Sequence, residues 1–219
     1  MGLGNPGLEY ATTRHNVGFD AVDRILEFAG GGWSAPAGIA GEPASLAEAE
    51  IEGQKVTLMK PLTYMNLSGG PVSEWARAHS IDRTDVLVYL DDVALPLGTI
   101  RLRERGSDGG HRGLASVISS LGGTDVPRVR IGIRPLALAV PTAEKPDTRV
   151  PDSLVDDLRD FVLTPFAADE RPLVEEVLSR VVSATRMILN EAGGMKKAMS
   201  LYNASPSPDD PVRLDRDRS

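Results

Sequence analysis

The chain contains no cysteine. That excludes disulfides, thiol nucleophiles and cysteine-ligated metal centres together. Histidine is scarce as well, with only His15, His79 and His111 among 219 residues. No apolar run is long enough to span a bilayer, and the first residues carry no charged-then-apolar leader pattern. The expectation is therefore a soluble, cytoplasmic protein with no membrane partner. In that setting the sequon Asn66-Leu67-Ser68 is silent. No G-x-S-x-G turn is present to present a serine nucleophile. No H-E-x-x-H or other paired helical spacing marks a metal centre, and no internal repeat is visible.

Hydrophobic residues make up 41 % of the chain, enough for a normal buried core. The net charge of −7 argues against a nucleic-acid partner until its distribution is read. Residues 101–134 carry seven arginines, at 101, 103, 105, 112, 128, 130 and 134, against three acids. This stretch is net positive on an otherwise acidic chain. A local basic region of this kind suits phosphate binding, and a solvated mixed-charge loop is the plainer alternative.

The stretch around which the chain is organised is Gly2-Leu3-Gly4-Asn5-Pro6-Gly7, followed by Thr13-Arg14-His15-Asn16. Three glycines and a proline impose a sharp turn that holds Asn5 on a loop. Gly2, Gly4 and Gly7 also fit the dinucleotide fingerprint G-x-G-x-x-G. That motif needs a preceding strand, and Pro6 removes an N–H that the phosphates would require. His15 stands just before an apolar-periodic run, a placement suited to a general base. A histidine that merely caps or packs is the bland alternative.

Apolar spacing predicts helices over Val17–Ala29, Leu114–Leu121, Leu154–Leu163 and Glu170–Ala192. A further helix, from about Gly70 to His79, would be capped by Ser68. Strands are predicted at Val56–Met59, Asp85–Leu90, Thr99–Arg105 and Val129–Ile133, with short strands or loops over 33–48. The strand at 85–90 should end at Asp91-Asp92. In Thr99–Arg105, Arg101 and Arg103 share one face, opposite Ile100 and Leu102. Leu95–Gly98 reads as a turn and Gly106–His111 as a glycine-rich loop. After Tyr202 the composition turns to Ser, Pro, Asp and Arg, the signature of a disordered tail. The expected organisation is one α/β domain over 1–202, with a tail over 203–219.

The polar residues that stand apart fall at element ends: Asn5, His15, Asn66, Asp91, and His111 with Arg112. In an open α/β sheet, sites form in the crevice beyond the strand ends. Asp91 can accept from an imidazole N–H, fixing the tautomer and stabilising an imidazolium. With no serine elbow, water is the nucleophile, and Asn66 offers an amide to a developing oxyanion. Two histidines and an aspartate could alternatively hold zinc.

Together these motifs resemble the bacterial peptidyl-tRNA hydrolase family. The carrying residues are Gly2–Gly7 with Tyr10, Thr13–Asn16, Lys60-Pro61 with Thr63–Gly69, and Asp91-Asp92 with Leu95-Pro96 and Gly98. Gly109–His111, Arg130–Ile133 and Phe161–Leu163 with Phe166 complete the series. The resemblance implies a monomeric, three-layer α/β/α domain with a mixed, mostly parallel central sheet. It implies no metal and no cofactor. It implies hydrolysis of the ester between a peptide and the 3′ end of tRNA, releasing stalled peptidyl-tRNA. By position, His15 resembles the base that activates water and Asp91 its orienting partner. Asn5 and Asn66 resemble the amides that hold the substrate. Tyr10 and Met65 resemble residues that shape the cleft, and His111, the histidine of the adjacent glycine-rich loop, is expected with them among the substrate-binding residues. Arg103 and Arg130 resemble tRNA phosphate contacts, which position without reading sequence. Arg112 stands where the family has a substrate-binding asparagine. It either joins the phosphate-binding face or turns toward His15. The family also has an apolar strand ahead of the glycine turn, where this sequence has only Met1, so the natural chain is expected to start further upstream. The rival class is an RNA-binding relative that keeps the fold without activity. A hydrolase for another acyl substrate is the third reading, and the basic face argues against it.

Overall fold

The structure is a computed structural model and describes residues 1–34, 37–39, 41–135, 158–190 and 192–204. Two three-stranded sheets meet at the chain start. In the first, β1 (Ala37–Ile39), β2 (Glu42–Ile51) and β3 (Gln54–Pro61) form an antiparallel meander. In the second, β4 (Val88–Pro96) runs parallel to β6 (Arg128–Arg134), and β5 (Ile100–Arg103) pairs antiparallel with β6 on its far side. Residues 1–3 seam the two sheets together. Gly2 N–H donates to the Met59 carbonyl at 3.0 Å, and Leu3 N–H donates to the Tyr89 carbonyl at 2.9 Å.

The layer is mixed, as the sequence suggested, but its parallel pairing is confined to β4–β6 and the bridge from Gly2 to Tyr89. The remaining ladders are antiparallel. The reason is local for β2 and β3, which are joined by the two-residue turn Glu52-Gly53. So short a connection can only return the chain antiparallel.

Both faces of the layer are covered. On one face lie α1 (Val17–Phe28), α4 (Arg171–Asn190) and α5 (Gly194–Tyr202). Val17, Val22, Ile25, Val177 and Val181 pack there against Tyr89, Ile100, Leu102, Val129 and Ile131. On the other face lie α2 (Gly69–His79) and α3 (Arg112–Ser120), where Val72, Leu114 and Val117 meet Leu3, Val88 and Leu90. Tyr89 faces one cluster while Val88 and Leu90 face the other, the alternation of a strand buried on both sides. Each fully buried Leu or Ile contributes about 1.5–3 kcal/mol.

Several local expectations change. β4 does not end at Asp91 but continues to Pro96, because Asp91 and Asp92 pair in register with Ile131 and Gly132. Ser68 does not cap α2. It has helical angles (φ −59°, ψ −21°), and its hydroxyl donates to the Met65 carbonyl at 2.9 Å. The Gly69 N–H is taken instead by Ser116 Oγ at 3.0 Å. Of the helix expected at 154–163, residues 158–162 are helical and the earlier ones fall outside the described residues. The unplaced stretch 136–152 and nearly all of the expected tail also fall outside. Asn203 closes α5, and its side-chain amide bonds both the N–H and the carbonyl of Leu102 on β5, at 2.7 and 3.0 Å.

Candidate active site

Beyond Leu3 the chain turns and reaches α1 through the 3₁₀ turn Arg14–Asn16. The approach is close because Gly18 has no side chain. A Cβ there would lie 2.4 Å from the Leu3 carbonyl and 2.5 Å from the Tyr89 carbonyl. The start of α1 is thereby pressed onto the strands, which brings His15 to the side chain of Asp91.

Asp91 is 3 % exposed, and a single oxygen serves two imidazoles. Its Oδ1 lies 2.8 Å from His15 Nδ1 and 2.9 Å from His111 Nε2. A carboxylate only accepts, so both ring nitrogens must donate. In His111 the other nitrogen, Nδ1, accepts from the Leu114 N–H at 3.2 Å at the start of α3. That ring is accordingly neutral. In a neutral His15 the Nδ1 proton leaves the lone pair on Nε2, on a side chain still 15 % exposed. Burial alone would raise the pKa of Asp91. Proximity to His111 and then to His15, whose ring N–H groups both donate to it, outweighs burial and holds the carboxyl well below the usual range.

The asparagine expected beside this pair is held from several sides. The Asn5 backbone N–H donates to Asn16 Oδ1 at 2.8 Å, and its carbonyl accepts from Asn16 Nδ2 at 2.9 Å. Asn5 Oδ1 accepts from the Met65 N–H at 2.8 Å. This leaves the Nδ2 donors of Asn5 without a partner among the described residues. Met65 is buried, and its sulfur seats over Gly113, where a Cβ would come within 2.4 Å of it. Met65 thus joins the Asn5 loop to the start of α3.

His15, Asp91, His111, Asn5 and Met65 therefore form one connected cluster. Asn66 is exposed on the 3₁₀ turn Met65–Leu67, with its amide free of partners among the described residues. Tyr10 is half-buried in the preceding turn, its carbonyl accepting from Thr13 Oγ1 at 2.8 Å. Arg112 is exposed at the first position of α3 and makes no hydrogen bond or ion pair with any described residue. The sequence reading missed Asn16, which pins Asn5, and Arg14, which is buried beside His15. The polar triplet ahead of an apolar helix was the available signal for both. The ligand-capable atoms of His15, Asp91 and His111 lie within 4.8 Å of one another, so these side chains could also surround a metal ion.

The basic region has a defined face. Arg101 and Arg103 on β5 stand in register with Arg130 and Arg128 on β6. Arg103 is exposed, and Arg130 is half-buried and pairs with Asp92. Arg128 is buried beneath the glycine-rich loop, donating to the Gly106 carbonyl at 3.0 Å.

This mixed α/β/α sandwich is an enzyme of the hydrolase class, as its relatives show. A family model described as peptidyl-tRNA hydrolase matches residues 1–210. The peptidyl-tRNA hydrolase of Carboxydothermus hydrogenoformans is 41 % identical over 207 residues, which cover 92 % of this chain and 96 % of that protein. The one from Chloroflexus aggregans is 40 % identical over 204 residues, covering 93 % and 97 %. The crystal structure of peptidyl-tRNA hydrolase from Acinetobacter baumannii superposes with a TM-score of 0.76 at 30 % identity, covering 93 % of this chain and 92 % of that one. The chain belongs to the peptidyl-tRNA hydrolase family. Among the described residues, no helix is long and apolar enough to cross a membrane.

Proposed function

We propose that this chain hydrolyses the ester linking a peptide to the 3′ end of tRNA, with His15 as general base. The observation that carries the reading is the 2.8 Å contact between His15 Nδ1 and Asp91 Oδ1, which leaves His15 Nε2 as the ring's free acceptor. Water at Nε2 gives up a proton as its oxygen attacks the ester carbonyl. The imidazolium that forms is stabilised by the Asp91 carboxylate. The amides of Asn5 and Asn66 donate to the substrate and its developing oxyanion. When the tetrahedral intermediate collapses, the C–O bond to the ribose breaks and the Nε2 proton passes to the leaving sugar oxygen. The products are a free peptide acid and free tRNA. Tyr10 and Met65 shape the cleft. His111 assists through Asp91 rather than by touching substrate.

Arg103 and Arg130 grip tRNA phosphates, and Arg112, exposed beside the cleft, adds a further phosphate contact. Contacts of this kind accept any tRNA sequence. The test is incubation with peptidyl-tRNA, with and without chelator, followed by separation of free tRNA. Release that is insensitive to chelator and lost in His15→Ala supports the reading. Tight tRNA binding without release would indicate the RNA-binding alternative, and loss of release on chelation would indicate a metal held by His15, Asp91 and His111.

A further inference from the structure

His15 makes one side-chain hydrogen bond, yet the residues on either side of it make six between them. Asn16 spends its amide on Asn5. Arg14 spends its guanidinium in the opposite direction, on parts of the chain far away in sequence. Its Nη2 lies 2.6 Å from Glu170 Oε2, and its Nη1 bonds Glu170 Oε1 and the Ile133 carbonyl, both at 3.2 Å. Its Nε donates to Thr164 Oγ1 at 3.3 Å. The rings of Phe161 and Phe166 lie 4.7 and 4.9 Å from the guanidinium carbon. The backbone repeats the connection, with Arg14 N–H donating to the Thr164 carbonyl at 3.0 Å and Thr13 bridging to Pro165.

A stabilising ion pair would need only Glu170. Here the same cation also ties down the end of β6 and the 161–166 segment, and every one of those bonds is made one residue from the imidazole. We propose that Arg14 is a positioning residue for hydrolysis: it locks the 3₁₀ turn to the 161–170 segment, so that His15 keeps its ring aligned on Asp91. The proposal rests on the reading of His15 as the base. Lysine cannot replace this arrangement, because a single ammonium has three donors and lacks the planar fork that reaches four acceptor atoms on three residues at once.

The experiment compares wild type, Arg14→Lys, Glu170→Gln and His15→Ala in steady-state cleavage of peptidyl-tRNA. It also records the histidine ring ¹H–¹⁵N resonances of the free proteins. Misplacing a catalytic group by about 1 Å costs about 10²-fold. Arg14→Lys and Glu170→Gln should therefore lower kcat about 10–100-fold, with KM within about twofold of wild type. The His15 ring signals should shift while those of the distant His79 stay put. A folded Arg14→Lys protein with wild-type kcat and unmoved His15 signals overturns the proposal, as does a loss confined to KM. If Arg14→Lys does not fold, Glu170→Gln carries the same two readouts. Full turnover in His15→Ala would sink the general-base reading instead. The resonance shift in Arg14→Lys would then still decide whether Arg14 positions the ring.

Discussion

Replacing Asp91 with asparagine isolates the electrostatic part of the site. The amide has nearly the shape of the carboxylate, and its Oδ1 can still accept from both imidazoles, which already converge on one oxygen at 2.8 and 2.9 Å. What disappears is the negative charge that would face a His15 imidazolium formed in the proposed mechanism. For unit charges roughly 4 Å apart at an effective dielectric of about 20, that interaction is worth about 4 kcal/mol. Each 1.36 kcal/mol is a factor of ten in rate, so the ceiling is about 10³-fold. Burial of Asp91 places the loss toward that ceiling, and kcat should fall about 10²–10³-fold with KM little changed. His15→Ala removes the proposed base and should cost up to about 10⁴-fold. Rates of tRNA release under saturating and single-turnover conditions measure both variants, with tRNA binding measured separately. An Asp91→Asn enzyme within tenfold of wild-type kcat, or one impaired only in KM, would refute the assignment of Asp91 as the partner of the imidazolium.

Asp20 on α1 is pushed up to about 7 by burial and then by the neighbouring Asp23. A raised carboxyl favours the folded state below about pH 4 and loses that advantage as the pH climbs toward 7. Stability should thus decline across that window, and Asp20→Asn should flatten the decline, with a gain at pH 8 of at most about 4 kcal/mol in denaturant titrations. A Gly113→Ala methyl would meet Met65 Sδ at 2.4 Å and His111 Cε1 at 3.2 Å. It should cost about 1–3 kcal/mol of stability and lower kcat, since the displaced groups hold Asn5 and Asp91. Arg103→Ala should weaken tRNA binding and reduce the slope of log affinity against log salt by about one, leaving cleavage of a short 3′-end fragment unaffected.

The elements that announce themselves in the sequence are those whose burial follows a fixed period. Buried Val17, Ala21, Val22, Ile25 and Leu26 define α1, and Val174, Val177, Leu178, Val181 and Val182 define α4. β2 was hidden because Glu42–Ile51 contains Pro43 and three alanines and has little strand preference of its own. It becomes a strand by pairing with β3 along its length. His15, Asp91 and His111 stood out as polar residues at expected element ends, although Asp91 proves to lie inside β4. The meeting of two rings on one oxygen depends instead on distances that no spacing encodes. Arg14 was the least legible, because its partners lie 119 to 156 residues away. A buried cation is visible in a sequence only when its counter-charge is near.

The amide of Asn203 has a consequence for how these molecules behave toward one another. β5 is the outermost strand of its sheet, and such an edge is a template for strands of other molecules. By occupying both the N–H and the carbonyl of Leu102, Asn203 blocks that template midway along a four-residue strand. The adjoining arginines Arg101 and Arg103 add mutual repulsion between like edges. The strand that carries the basic face is thus kept from pairing with its own kind. Shortening the chain ahead of Asn203 would uncover the edge, and the first sign would be concentration-dependent self-association rather than loss of hydrolysis.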